Sequence, residues 1–531
     1  MVKLVHVALA GLALGASLDA TADAARVRKA WRNLSDQEKE NFKGAVASAM
    51  KSGLHYQFAL VHASPPNSIH AHGNCGFLLW HRKYMLAYEN MLRDQGDQFK
   101  DVTIPYWNYY NDHDRQLSKG VQCKTILECS QFLQEMGGLG DKNGKIKIRG
   151  RETEGHCGDD SISKNACDGS GNCGCVPRGD WDTETSFLAL ARSKTLAAMI
   201  NVKKAATDDK EALTELSGSV EGTFHTAVHS ALGGIMGNYG SPFDPVFFGH
   251  HATVDLVHYV HNHCYYEEAG PDSIGKFSKF ARCQVKDNKK DKVVGSIAPK
   301  SKIVMVSKDD RVQKYFDAIG STYEAFDDAT TMGDNSYTYE LDDHIQNFLK
   351  TNRIICPNNN GDRRLEVEAD HKRHGRHHHH HDHNRDYEKS DEEVMQITDV
   401  LSECTQELIK EHSELSLGEV YEQVGMLECE VVRQLQGKDF EDYSREFLEG
   451  FNMPKTMHRH CYVMMQKLSE CDGDIKVSDQ CKQRLGELTG TDLLEGFGQQ
   501  YGNTTYDTPA PAYTDESSYG THVRIHIHRS E

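Results

Sequence analysis

Two histidine-rich segments, far apart in the chain, restrict its folding more than any other feature of the sequence. One contains His72 and His81 in HAHGNCGFLLWHRKYMLAYENML, and the other contains His225, His229 and His251 in FHTAVHSALGGIMGNYGSPFDPVFFGHHATVD. On a helix, rings four residues apart project from one face and can bind one ion. Neutral imidazoles suit copper, and neither segment offers the thiolate cluster of structural zinc. The segments therefore predict two copper sites.

The scaffold that brings these segments together is predicted to be mainly α. A capping box at Ser35 predicts a first helix, and the run from 77 to 93 favours helix throughout, with His81 on its apolar face. A helix is predicted over about 213–232, and another begins near His250. The expected fold class is therefore mainly α.

The N-terminal residues predict export. Lys3, an apolar run from Leu4 and the small-residue site Ala22–Ala24 are typical of a cleaved secretory signal over residues 1–24. The 15 cysteines of such a chain favour disulfides, and Asn33 and Asn503 fit the acceptor pattern for glycosylation. A net charge of -19 argues against nucleic acid or an anionic membrane as a partner. We expect a secreted protein.

Composition divides the rest of the chain. Residues 25–355 carry the copper-site segments, and 356–390 contain HKRHGRHHHHHDHNRD, which is typical of a solvated linker with weak metal affinity. In 391–495, apolar residues step at threes and fours between cysteines, which predicts a small Cys-rich helical domain. The last residues, 496–531, are rich in Tyr, Thr, Pro and Gly, and a disordered tail is expected there.

Three motifs resemble those of the type 3 copper proteins, the family of tyrosinases, catechol oxidases and hemocyanins. DPVFFGHHATVD at 244–255 is similar to the DPxFxxHHxxxD signature, His72 and His81 fit the family's H-x8-H-R spacing, and IPYWNYYND resembles its PYWDW-like turn. The resemblance implies a helical-bundle domain with the two copper sites between antiparallel helices. It also implies that His251 is a ligand, that His250 lies behind it, and that Asp255 orients a ligand by a hydrogen bond.

The third ligand of the first site is less constrained. The resemblance favours His62, in YQFALVH on the preceding helix, and leaves His55 and His70 as alternatives. The metal set predicted for the two sites is therefore His62, His72, His81, His225, His229 and His251.

The resemblance also implies an activity. Two copper ions with dioxygen as co-substrate would oxidise o-diphenols to o-quinones, in pigment formation or extracellular matrix cross-linking, acting on small phenols or on protein Tyr side chains. Thr226 stands where enzymes that hydroxylate monophenols often have Asn, and neither Glu215 nor Glu221 matches the accompanying Glu by spacing. Diphenols are thus the expected substrates, with monophenols left open. The alternatives are a hemocyanin-like oxygen carrier or a weakly active structural matrix protein.

The C-terminal region departs from the family pattern. Several relatives cover the copper pocket with a β-rich domain that inserts a side chain, whereas residues 391–495 here predict helices. By analogy, we expect this region to shield the site until the linker is cleaved.

Overall fold

The computed structural model describes residues 26–121, 123–183, 212–267, 270–273, 282–357, 383–470 and 474–494. The predicted signal, the tail, most of the His-rich linker and Cys471 lie outside these ranges, and so does the side chain of Glu215. The domain boundaries that fall there stay predictions.

Helices dominate the described residues, which confirms the predicted mainly α class. Before residue 357 they are α1 (Asp36–Lys51), α2 (Leu54–His62), α3 (Pro65–Ala71), α4 (Phe77–Arg93), α5 (Tyr109–Leu117), α6 (Ile126–Cys129), α7 (Gln131–Glu135), α8 (Asp160–Ser163), α9 (Ala212–Val220), α10 (Thr226–Leu232), α11 (Val246–His263), α12 (Asp310–Asp317) and α13 (Asp343–Thr351). The C-terminal region adds α14 (His383–Glu411), α15 (Leu417–Gln436), α16 (Arg445–Gly450), α17 (His460–Glu470) and α18 (Asp479–Thr489). Helix α14 begins inside the segment predicted as linker.

The strands are short and lie at the edges of the helical body. They are β1 (Arg26–Arg28), β2 (Asn143–Ile148), β3 (Arg151–Cys157), β4 (Pro177–Arg178), β5 (Tyr265–Tyr266), β6 (Cys283–Asp287), β7 (Lys292–Ile297), β8 (Tyr337–Tyr339) and β9 (Ile354–Ile355). β1 pairs with β8 in parallel, whereas the β2–β3–β4 sheet and the pairs β5–β9 and β6–β7 are antiparallel.

Two local features follow the sequence closely. The capping box at the start of α1 forms, because Glu38 N–H donates to Ser35 Oγ and Ser35 N–H donates to the Glu38 carboxylate. The helix predicted over 213–232 is interrupted between α9 and α10 by a π-helical turn, Glu221–His225, in which Thr223 has non-helical torsions. Such turns often mark functional positions, and this one ends at a predicted ligand.

Two large hydrophobic cores and one small cluster, around Phe451, are present among the described residues. The larger one runs from Ala30 to Ile354 and includes Tyr421 of α15. The second draws on residues 397–493 together with Leu117 of α5, so the C-terminal helices pack directly on the body that carries the histidines. Each core therefore recruits one residue from the other region, and the two regions are in contact.

All 14 cysteines in the described ranges pair, which confirms the predicted use of disulfides. The loop ahead of the second histidine segment is stapled twice, and the C-terminal helices are joined by two bonds. The bonds are Cys75–Cys283, Cys123–Cys129, Cys157–Cys175, Cys167–Cys173, Cys264–Cys356, Cys404–Cys481 and Cys429–Cys461. None of the helices in the described ranges is long and apolar enough to cross a bilayer.

Candidate metal centre

Three histidines from consecutive elements form the first cluster. His62 ends α2, His72 follows α3 in an extended conformation, and His81 lies in the second turn of α4. All three are buried, and one ring nitrogen of each lies within 4.8 Å of the others. The structure therefore brings together the three residues predicted for the first site.

Backbone carbonyls orient all three rings of the first cluster. Nδ1 of His62 lies 2.8 Å from the carbonyl oxygen of Tyr239, Nδ1 of His72 lies 3.1 Å from that of Ser68, and Nδ1 of His81 lies 2.9 Å from that of Phe77. A carbonyl only accepts, so each Nδ1 carries the proton and each Nε2 keeps its lone pair. This leaves three Nε2 donors for one ion, with second-shell hydrogen bonds that fix the tautomer.

The two alternatives to His62 are placed elsewhere. His55 is also buried, but its Nδ1 lies 2.8 Å from the Tyr88 hydroxyl and its Nε2 lies 2.9 Å from the carbonyl of Phe243. Both nitrogens are thus used by the protein. His70 is only partly buried and is not part of the cluster. The geometry supports His62 as the third ligand.

The second cluster contains four histidines. His225 ends the π-helical turn, His229 lies in α10, and His250 and His251 are adjacent in the first half of α11. All are buried, and one nitrogen of each lies within 4.8 Å of the others. His229 alone is held like the first-site rings, with Nδ1 2.7 Å from the carbonyl of Met236. The predicted set of three is present, with His250 beside it.

The two clusters lie next to each other, and one ring of the first cluster stacks on one ring of the second. The centroids of His81 and His251 are 4.4 Å apart with an interplanar angle of 16°. His72 and His225 approach more loosely, at 6.2 Å. Two ions bound in the clusters would therefore be neighbours, and a small molecule between the clusters could reach both.

Burial keeps these imidazoles neutral. It lowers the pKa of His62 to about 4 and that of His229 to about 3. Burial also lowers the pKa of the remaining cluster members well below the usual histidine value, with a smaller effect from neighbouring imidazoles; these are His72, His81, His225, His250 and His251. Unprotonated rings are the form that binds a metal.

The buried nitrogens test whether a metal fits. Nε2 of His72 and of His229 and both nitrogens of His225 and His251 lack a hydrogen-bond partner among the described residues. Buried polar atoms are normally paired, and an unpaired one costs about 1–3 kcal/mol. Imidazole-only donor sets suit copper, and the cysteines near the centre are in disulfides. The donor set fits copper.

Asp255 does not have the role predicted for it. Its carboxylate accepts hydrogen bonds from Arg82 at 2.6 Å and Arg28 at 3.2 Å, and from the hydroxyls of Tyr337 and Tyr339. Both nitrogens of His251 lack a hydrogen-bond partner among the described residues. The prediction of a hydrogen bond from Asp255 to a ligand was wrong, because closer charged partners engage the carboxylate.

Asp255 instead ties the two ligand helices together. Arg82 directly follows His81 on α4, and Asp255 lies one turn after His251 on α11. Burial alone would raise the pKa of Asp255, but the charges of Arg82 and Arg28 lower it, so the carboxylate stays ionised. The ion pair fixes how α4 and α11 pack, and through that the stacking of His81 on His251.

The hydroxyl of Thr226 forms a hydrogen bond within its own segment. It donates to the backbone carbonyl of Glu221, the first residue of the π-helical turn. The side chain that distinguishes this chain from enzymes with Asn at this position therefore stabilises the π-helical turn.

The position of Glu221 next to the first cluster was not predicted from the sequence spacing. Its carboxylate is buried, and both oxygens accept from the N–H of Gly73, at 2.8 and 3.0 Å. Gly73 follows His72, while Glu221 begins the turn that ends at His225, so this contact joins one ligand segment of each cluster. Burial raises the pKa of Glu221 to about 8. A sequence signal existed, since Glu221 lies one helical turn before His225.

The C-terminal region covers the centre with Phe451. The centroid of this buried ring lies 4.9 Å from that of His229, 5.5 Å from Tyr239 and 6.2 Å from His72. Tyr443, Leu448 and Met453 join Phe451 in a small cluster that packs on Tyr239. The only described residue of the C-terminal region with a ring contact to the predicted ligands is thus Phe451.

Polar contacts hold Phe451 in this position. Asn288 Nδ2, in the turn between β6 and β7, donates to the carbonyl of Asn452 at 2.8 Å, and Asn452 Nδ2 donates to the carbonyl of Lys286 at 3.1 Å. Arg459 donates to the hydroxyl of Ser230, next to His229, at 2.7 Å. The covering segment is therefore anchored on two sides of the centre.

Comparisons with known proteins agree with this geometry. The family model "Common central domain of tyrosinase" matches residues 52–263, which include all seven clustered histidines. The chain is 28% identical over 248 residues to a tyrosinase of Streptomyces glaucescens, covering 44% of this chain and 80% of that protein. It is 26% identical over 254 residues to hemocyanin 2 of Megathura crenulata, covering 45% of this chain but 6% of that protein.

The solved structures include a polyphenol oxidase from Thermothelomyces thermophila at 17% identity, with a TM-score of 0.35, covering 60% of this chain and 90% of that one. The matched family region carries the clustered histidines, and the C-terminal helices lie beyond it.

Proposed function

Because the chain is a tyrosinase-like protein of the type 3 copper family, we propose that it is a secreted, copper-dependent oxidase that converts o-diphenols to o-quinones with dioxygen. The observation that carries the proposal is the pair of adjacent clusters of buried, unprotonated imidazoles, joined by the stacked rings of His81 and His251. Exported disulfide-rich chains of this kind fit an extracellular role in pigment formation or matrix cross-linking.

Two bound copper ions would supply the redox chemistry, by which two diphenols and one dioxygen give two o-quinones and two water molecules. His62, His72 and His81 would hold one ion, and His225, His229 and His251 the other. The residues around them supply no nucleophile to the reaction. Their part is to hold the ligand rings, through the carbonyls of Tyr239, Ser68, Phe77 and Met236, and to exclude water.

The ring of Phe451, which covers the centre, bears on whether a phenol can reach the ligands. A ring against His229 and Tyr239 leaves the ligands accessible to dioxygen more readily than to a phenol. This supports either an enzyme that is latent until the C-terminal region moves, or a hemocyanin-like oxygen carrier. A weakly active matrix protein is the third alternative. Small phenols, or Tyr side chains of proteins, are the proposed substrates of the opened enzyme.

The deciding experiment measures copper content and turnover together. The secreted protein is loaded with copper, the ions per chain are counted, and catechol oxidation is followed before and after protease treatment in the 356–390 segment. His251→Ala should lower the rate of catechol oxidation, whereas His258→Ala, which removes a buried histidine from the same helix away from the clusters, should leave that rate and the copper content unchanged. Two ions without turnover in either state would favour the carrier, and fewer than two ions per chain would overturn the proposal.

A further inference from the structure

The second cluster holds one imidazole more than a three-histidine site needs. His250 and His251 are adjacent on α11, yet one nitrogen of each lies within 4.8 Å of donors on His225 and His229. The first cluster contains only His62, His72 and His81 by the same measure. The two halves of the centre are therefore unequal in the number of available ligands.

The hydrogen bonding of His250 differs from that of a structural histidine. The ring is fully buried, and neither nitrogen has a hydrogen-bond partner among the described residues. His55 is the internal comparison: it is equally buried in the same domain, and both of its nitrogens are paired, with the Tyr88 hydroxyl and the Phe243 carbonyl. His55 shows that this fold can pair both nitrogens of a buried histidine, and His258 keeps one nitrogen paired, with Asn262. His250 has neither nitrogen paired within the described ranges, and two unpaired nitrogens on one buried ring call for a ligand.

The ring contacts of His250 and His251 show on which side of the second site each ring lies. His251 stacks on His81 and therefore faces the first cluster. The centroid of His250 lies 5.3 Å from that of His225, with near-parallel planes, and 5.0 Å from that of His229. On its other side, His250 contacts the ring of Tyr109. His250 thus approaches the second site from the side away from the first cluster.

We propose that His250 is a fourth, exchangeable imidazole of the second site, which holds copper together with His225 and His229 when His251 is not bound to it. During loading, an ion is first held on the side away from the first cluster and then passes to His251. This rests on the proposed copper centre and adds to it a path for filling and retaining the second ion. When the ion passes from one imidazole to its neighbour, one metal–nitrogen bond forms and one breaks. The exchange therefore requires no oxidant.

The test uses copper(I) alone, with a chromophoric chelator to count bound ions and to time their release under anaerobic conditions. The variants are His250→Ala, His251→Ala, the double variant and His258→Ala as a control for loss of a buried α11 histidine. His250→Phe is added because it keeps the volume and the packing against His225. Unfolding curves of the apo-proteins establish that each variant is folded.

We expect His251→Ala to bind two ions and to release the second roughly 10–100 times faster than the wild type, as for other losses around a metal site. The double variant should bind only one. His250→Ala and His250→Phe should bind two ions but load the second roughly tenfold more slowly. Equal copper content and release in His251→Ala and the double variant would overturn the inference, as would wild-type loading in His250→Phe. A wild-type chain that binds fewer than two ions would overturn the proposed function as well.

Discussion

Truncation of Phe451 should activate the enzyme. The ring is buried between His229, Tyr239 and His72, on the side from which the C-terminal region covers the centre. Burying a Phe side chain contributes about 1.5–3 kcal/mol. If this free energy favours the covered arrangement, its loss raises the population of the open one by roughly 10- to 150-fold while the covered form still dominates.

The assay is kcat/KM for catechol with the copper-loaded full chain. Phe451→Ala should raise it by up to that factor, and a bulkier diphenol should gain more. Phe447→Ala is the matched control, because Phe447 contacts the rings of Tyr443 and Phe451 but none of the clustered histidines. Copper content and the unfolding midpoint are measured in parallel, since truncating a buried Phe costs about 3–5 kcal/mol of stability in a core. A folded Phe451→Ala chain with full copper and unchanged kcat/KM would refute the reasoning.

Further predictions concern the links around the centre. Glu221→Ala leaves the Gly73 N–H without its acceptor, so it should weaken copper binding at the first site by about 1–3 kcal/mol. Glu221→Gln keeps an acceptor there and is the control. Copper titration compares the two variants, and equal affinities would exclude a role of the Glu221–Gly73 contact in copper binding. Asp255→Asn leaves Arg82 without its buried countercharge, while Arg28 keeps Glu89, and it should cost about 3–5 kcal/mol in urea unfolding. Glu38→Gln, which breaks an exposed pair with Lys29, should cost less than about 1 kcal/mol. A similar cost for both variants would count against the ion pair as a link between α4 and α11. Burial lowers the pKa of His62 from 6.5 to about 4, so the unfolded chain binds protons that the folded apo-protein does not. Stability should therefore fall as the pH drops from about 6.5 toward 4, with copper released over the same range, and apo-protein unfolding at each pH tests this.

Local sequence patterns determined much of the fold because the interactions behind them are local. The Ser35–Glu38 capping box spans three residues, and it forms as predicted. The helices that carry His81, His229 and His251 follow from periodicity, whereas the π-helical turn that ends at His225 was not predicted. Helical spacing placed His225 and His229 on one face, and the family resemblance supplied His62 and His251 as further ligands and His250 as their neighbour. These residues lie in the two groups in which they were predicted.

Only the tertiary structure decided the contacts between segments. His55 and His62 share a helix, and the choice between them depends on the carbonyl of Phe243, 188 residues away, which pairs His55 Nε2. Asp255 was assigned to a ligand because the ligand is its neighbour in sequence, yet Arg28, 227 residues away, engages it in the fold.

Glu221 and Phe451 reach the centre by long-range contacts: Glu221 accepts a hydrogen bond from the N–H of Gly73, 148 residues away, and Phe451 lies in a separate helical region. The sequence by itself therefore determined which residues could bind metal. The packing of distant segments determined which of them are free to do so, because burial and hydrogen bonding to the rest of the chain decide whether an imidazole nitrogen keeps its lone pair available.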